Sequence, residues 1–365
     1  MNALTGPTSI ALDLSATSRP FGDTALARGL PQGWDFLGNV PVPLRHRVRD
    51  GVAELMTQHR AGGGAPLKCC FPMGQGGRGP IERLRTIRSL ADYPNMLVSA
   101  DHPNSFNRRF FDRHVRTGAF SACQPDGTAA VFTDCGLVDP CGWIGVFAVA
   151  PFVLLIDHRR LDGLPAPRRW ADLFDPSYRG QVVFGGWRRE GERCFNQFNK
   201  FFLLCIAREF GLDALARLVR NVPTLLHSAQ MPRLAGTDAS PGGIYVLPWL
   251  LADMCPRRTD TAVVWPEDGA LAYPLWLTVK SDQHATVDPL IRYFYGAGLG
   301  QILDENHYPA LNPDRPPALP PASRLKWLGW DYVRHRATAQ AVKQACRTFL
   351  DNFDDSAPSE VRSCA

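Results

Sequence analysis

The 365-residue chain lacks several features that would assign it to a class at sight. It has no long apolar run: the longest, Gly142 to Ile156, is fifteen residues and carries Pro151 in its second half. A spanning helix needs about 20. It has no strong charge of one sign, with 40 Lys+Arg against 35 Asp+Glu. A nucleic-acid partner is therefore not expected. The basic clusters Arg83/Arg85/Arg88, His158/Arg159/Arg160 and Arg168/Arg169 stand beside acids or prolines and read as solvated faces. Repeats are missing, as are the hydrolase elbow G-x-S-x-G, the zinc helix H-E-x-x-H and the phosphate loop G-x4-G-K-[ST]. No nucleophile–base pair can be singled out. No basic and apolar leader opens residues 1–30, so the sequence as written predicts a cytoplasmic chain, or a periplasmic one if the true start lies elsewhere.

What is present points to a globular α/β protein. Apolar residues make up 45%, enough for a large core, and 32 glycines with 31 prolines predict many turns between short elements. Residues 1–33 read as a loose arm. Leu44, Val48, Val52, Leu55 and Met56 recur at steps of three and four, which predicts a helix over 43–60. Strands are expected over 67–71, 95–100, 129–132, 146–156 (interrupted at Pro151), 181–184, 243–247, 261–265 and 272–280. Helices are expected over 80–91, 110–118, 194–210 (closed by Gly211), 213–220, 287–296 and 337–353. Two β-loop-α beginnings of similar style predict two lobes.

Gly74-Gln-Gly76-Gly-Arg-Gly79 fits G-x-G-x-x-G, with Asp101 placed like a ribose-binding acid. A dinucleotide-dependent oxidoreductase is therefore one alternative. A loop of backbone N–H groups for any anion or polar ligand is the more general one. The ten cysteines include the Cys69–Cys70 pair ahead of that loop, with Cys135 and Cys141 in a second Gly/Asp/Pro loop. These four are buried thiols, ligands for a bound metal ion, or a redox pair. Tyr245, Tyr273, Tyr293, Tyr295 and Tyr308 with His284 and His307 invite an iron reading, although no adjacent Tyr-Tyr pair occurs. Asp253, Glu267 and Asp268 read as turn acids.

Trp170-Ala-Asp-Leu-Phe-Asp-Pro-Ser-Tyr-Arg-Gly-Gln-Val-Val-Phe184 resembles the passage that opens the second lobe of type II solute-binding proteins of ABC transporters. Pro151 to Leu161 and Pro266-Glu-Asp-Gly-Ala270 with Tyr273-Pro274 resemble the same family's crossover segments, in the same order. The resemblance lies in the branch that holds ferric-iron, polyamine and phosphonate binders. It implies a periplasmic-binding-protein-like Venus-flytrap fold, α/β with two lobes and hinge crossovers. Lobe one would comprise 61–157 plus 272–365, and lobe two 158–271, after an arm and helix over 1–60.

A non-catalytic binding protein is implied, one that takes a metal ion or anion by hinge closure. Its ligand would meet Met73, Gly74 and Gln75 on one lobe and Gly185, Gly186, Trp187 and Tyr245 on the other. Its partner would be an ABC permease, or a cytoplasmic client if the chain is a metal or cofactor sensor or delivery protein. A monomer is expected. The block Trp327-Leu-Gly-Trp-Asp-Tyr332 falls outside the family pattern and reads as a plug for lobe one.

Overall fold

A computed structural model of the chain describes residues 33–72, 84–101, 106–189 and 192–353. The expected arm over 1–33 lies almost wholly outside them. The first half runs β1 (Phe36–Asn39), α1 (Val42–Ala61), β2 (Cys69–Cys70), β3 (Met96–Ser99), α2 (Arg108–Phe110), β4 (Phe120–Ser121), α3 (Ala130–Thr133) and β5 (Gly145–Asp157). The middle runs β6 (Val182–Gly185), β7 (Trp187–Arg189), β8 (Glu192–Cys194), α4 (Gln197–Arg220), β9 (Leu225–Leu226), α5 (Met231–Leu234), β10 (Ile244–Pro248) and α6 (Trp249–Asp253). The rest is β11 (Thr261–Val264), β12 (Ala270–Lys280), α7 (His284–Phe294), α8 (Ala297–Glu305), β13 (Leu325–Lys326), α9 (Trp330–Arg334) and α10 (Thr338–Asn352).

The chain divides into two compact units, Met1–Ala148 with Pro274–Pro317 and Val149–Tyr273 with Ala318–Ala365. Of the three crossings, two fall inside long, wholly buried strands, β5 and β12, and the third lies in the irregular segment at Pro317–Ala318.

Unit one is built on three parallel strands in the order β2-β1-β3, with the Trp276–Val279 stretch of β12 antiparallel to β3. Helix α1 buries Leu44, Val48, Val52 and Met56, four of the five residues its spacing marked, leaves Leu55 half-buried, and packs against α7. A Cβ on Gly51 would fall 2.0 Å from the Tyr293 hydroxyl of α7, so this close approach requires glycine. Tyr93, Phe106, Phe110 and Phe120 form a buried aromatic layer, with Tyr93 centroids 5.0–5.6 Å from the other three. Each such pair adds about 0.5–1.5 kcal/mol beyond its buried area.

Unit two repeats the scheme. Its parallel strands run β9-β6-β10, so the first in the chain again lies in the middle. Strand β5 runs antiparallel to β10 on one side and β11 on the other. The two helices expected over 194–220 are present and joined across Gly211, whose φ of 84° is a glycine conformation. The passage Trp170–Gly180 is a chain of turn chemistry. Asp172 accepts from the Arg168 and Arg169 amides, Asp175 from Ser177 N–H, and the Trp170 indole donates to Gly269 O at 2.8 Å.

Four expectations are corrected. Residues 129–132 form helix α3 rather than a strand, since their apolar positions cover one short turn with Phe132 buried. Strand β5 is not interrupted at Pro151: the proline precedes the first rung of the β10 ladder, Phe152 against Pro248, which needs no N–H from it. The helix expected over 80–91 is, in its described part, only a 3-10 turn at Leu84–Thr86. The Trp327–Tyr332 block, with all of the chain from Ala318, belongs to unit two rather than to the first lobe. Trp327 stacks on Phe201 of α4, Arg208 lies 3.9 Å over the Tyr332 ring, and α10 packs along α4. Strand β1, in a stretch assigned to the arm, was missed.

Candidate functional site

In open parallel sheets, ligands meet the carboxyl ends of strands where successive connections leave in opposite directions. In unit one that place is the end of β1 and β3. There Ala100 N–H donates to Asn39 O, Asp101 N–H to Ser99 Oγ at 3.0 Å, and the Trp276 indole to Asp101 O at 2.7 Å. In unit two it is the end of β6, with β9 and β10 beside it.

The connection between β2 and β3 and the segment that follows β3 line a cavity of about 470 Å³ with Arg85, Thr86, Arg88, Asn107, Arg108 and Arg109. Asn107 joins the two segments. Its amide donates to Ile87 O at 2.5 Å while its oxygen accepts from Phe110 N–H at 2.9 Å, capping α2. The aromatic layer around Tyr93 backs the same helix. Arg108 pairs with Asp112 at 2.8 Å; among the described residues no carboxylate pairs with Arg85, Arg88 or Arg109. By contrast Arg159 is paired with Asp238, and Arg168 and Arg169 with Glu267. Two of the three basic clusters are thus ion-paired surface, and the third opens on a cavity. Sequence reasoning missed this, because Arg108 and Arg109 stand about 20 residues from Arg85 and Arg88. The arginine density of 83–88 and 108–109, on either side of one predicted strand, is the signal that could have found it.

The residues named from sequence are distributed as follows. Met73, Gly74 and Gln75, and the whole Gly74–Gly79 loop, lie outside the described residues. Gly185 and Gly186 are at the carboxyl end of β6 as its connection requires. Gly185 O accepts from the buried Asn199 amide at 2.7 Å, and Gly186 N–H donates to Leu226 O at 2.9 Å. Half-buried Trp187 lies 6.3 Å from the His227 ring, beyond the end of β9. These three are brought together. Tyr245 is not with them: it stands near the amino end of β10, fully buried, its hydroxyl 2.7 Å from Ser240 Oγ. Its ring belongs to the core of unit two, and burial pushes its hydroxyl pKa upward.

The cysteines do not converge. Cys69 and Cys70 are both buried in β2, and burial, with Asp35 nearby, pushes the Cys69 thiol up to about 12. Cys135 is half-buried, its thiol donating to Phe132 O and raised by burial to about 11, whereas Cys141 is exposed. Asp139 shapes their loop by accepting from the Cys141, Trp143 and Ile144 amides. Among the described residues no group of three or more His, Cys, Asp or Glu side chains is arranged to hold a metal ion.

The remaining candidates are structural. Tyr295 donates to Ala122 O, Asp253 pairs with Arg258, and Asp268 with Lys326. One thiol–imidazole contact, which sequence did not show, brings Cys123 Sγ within 3.4 Å of His284 Nε2. Burial raises the Cys123 thiol, which favours its protonated form.

The fold is α/β in two units, each with three parallel strands of its own, and the first carries an arginine-lined cavity. The chain belongs to the bacterial extracellular solute-binding proteins, whose family model matches residues 91–336. The fold is of the type II periplasmic-binding-protein kind. The Bordetella ferric binding protein covers 87% of this chain and 99% of its own at a TM-score of 0.57 and 14% identity. A Trichodesmium protein solved in complex with iron and citrate ligands gives 0.53 and 15%, with the same coverages. A Clostridium perfringens ABC transporter protein gives 0.58 and 10%, covering 86% and 99%. No curated protein matches the sequence significantly. The family and these neighbours are binding proteins, and the dinucleotide oxidoreductase alternative is not favoured.

Proposed function

We propose that the chain is the extracytoplasmic solute-capturing partner of an ABC permease, acts as a non-catalytic monomer, and takes a small anion, free or carrying a metal ion. The observation that carries the anion is the cavity lined by Arg85, Arg88, Arg108 and Arg109. Guanidinium groups hold planar oxyanions through paired N–H donors and stay charged at any physiological pH. Ferric iron is a second reading, favoured by the ferric-binding neighbours. Under this reading iron would enter as an anionic chelate whose carboxylates meet the arginines. The cysteines Cys69, Cys70, Cys135 and Cys141 are not needed as ligands for that chelate.

Calorimetric titration with citrate, ferric citrate and ferric chloride tests this. Heat with either citrate species and none with ferric chloride is the expected result. Binding of the bare ion alone would overturn it.

A further inference from the structure

The four arginines are not one patch. They come as two pairs on two segments, Arg85 within the 3-10 turn at Leu84–Thr86 and Arg88 just after it, and Arg108 and Arg109 on α2. Each segment alone would hold a single oxyanion on its exposed surface. Asn107 ties them by donating to Ile87 O and capping α2, and Phe106 and Phe110 on either side of the arginines are buried against Tyr93. The two pairs therefore stand at a fixed separation across a cavity of about 470 Å³, much larger than one carboxylate or phosphate requires. One of the four, Arg108, is partly offset by Asp112, which leaves about three uncompensated charges among the described residues.

We infer that this cavity is a two-headed anion site, taking a small organic acid with at least two separate anionic groups, each held by one arginine pair. The class is di- and tricarboxylates and phosphorylated carboxylic acids. Simple monoanions and inorganic phosphate engage one pair and leave the other unpaired. The inference rests on the anion reading above and narrows it.

The test is titration of the full chain with acetate, inorganic phosphate, citrate and 2-phosphoglycerate at constant ionic strength, in wild type, R88Q and R109Q. All four arginines are exposed, so both variants should melt at the wild-type temperature. The expected result is that citrate or 2-phosphoglycerate binds at least tenfold more tightly than acetate or phosphate. Each single substitution should then lower that affinity about tenfold, a loss of about 1.4 kcal/mol. Phosphate binding as tightly as citrate would overturn the two-headed site and leave the anion reading standing. So would citrate binding that both variants leave unchanged, since the anion would then sit elsewhere. No binding by any of the four would overturn both.

Discussion

The two units use one strand order for opposite chemistry. In each, the first parallel strand lies between the next two, β2-β1-β3 and β9-β6-β10, so each has its own crevice at the carboxyl ends. Unit one carries guanidinium groups on a turn and a short helix that line one cavity. Unit two has at the end of β6 a buried, hydrogen-bonded glycine pair, Gly185–Gly186, followed by the Trp187 and His227 rings. The proposed anion site would assign charge recognition to unit one.

The largest effect that would sharpen this contrast concerns two buried indoles. Trp276 and Trp170 each donate to one main-chain carbonyl, Asp101 O in unit one and Gly269 O in unit two. Replacing either by alanine should cost about 3–5 kcal/mol in denaturant unfolding. The milder Trp→Phe changes separate the units. W276F leaves the Asp101 carbonyl at the end of β3 without its donor and should weaken citrate binding, whereas W170F should lower stability alone. Equal losses of affinity would break the assignment of charge recognition to unit one.

Next come the two glycines at the end of β6. A Cβ on Gly185 would lie 2.5 Å from Asn199 Nδ2, whose hydrogen bond to Gly185 O is buried. G185A should cost about 2–3 kcal/mol, from crowding and a weakened buried bond. A Cβ on Gly186 meets only the end of the Leu225 side chain at 2.9 Å, which can turn away. G186A should cost less than about 1 kcal/mol by thermal melting, and a reversed order would mean that α4 yields more easily than its buried Asn199 suggests.

Much of this fold could be read in advance because its signals are local. The α1 spacing, the strands β5 and β12 and the Asp172 and Asp175 turns all follow from residues within a few positions of one another. The Trp170–Phe184 passage carried the family resemblance, and its side chains make turns and core contacts rather than ligand contacts. The site was less legible because it is non-local. Asn107 reaches back 20 residues to Ile87, which no period or motif encodes. Tyr245 was misplaced by one end of a five-residue strand. Strand β1 was lost because four residues, Phe36–Asn39, give too short an alternation to stand out.

The thiols of unit one give a smaller, pH-dependent contrast. Burial holds Cys69 protonated up to about 12, against an ordinary value of 9.0. The unfolded chain releases that proton first. Cys69 therefore contributes stability that is complete below about pH 9 and is lost progressively as pH rises to about 12. Unfolding midpoints of wild type and C69A should diverge below pH 9 and converge above it; a pH-independent gap would show that only packing is involved.

The smallest effect is expected at Cys141, and its smallness is informative. Its side chain is exposed, and what orders its loop is Asp139, which accepts from the amides of Cys141, Trp143 and Ile144. The thiol itself contributes nothing to that arrangement, so C141S should change stability by less than about 0.5 kcal/mol. D139A, which strips three amides of their acceptor, should be far more damaging. In a brief iodoacetamide pulse on the native chain, Cys141 should be alkylated before Cys69 and Cys70, which react only on unfolding. If C141S instead lowers both stability and the metal content of purified protein, the loop is a ligand loop after all. The cysteines, rather than the arginines, would then distinguish unit one from unit two.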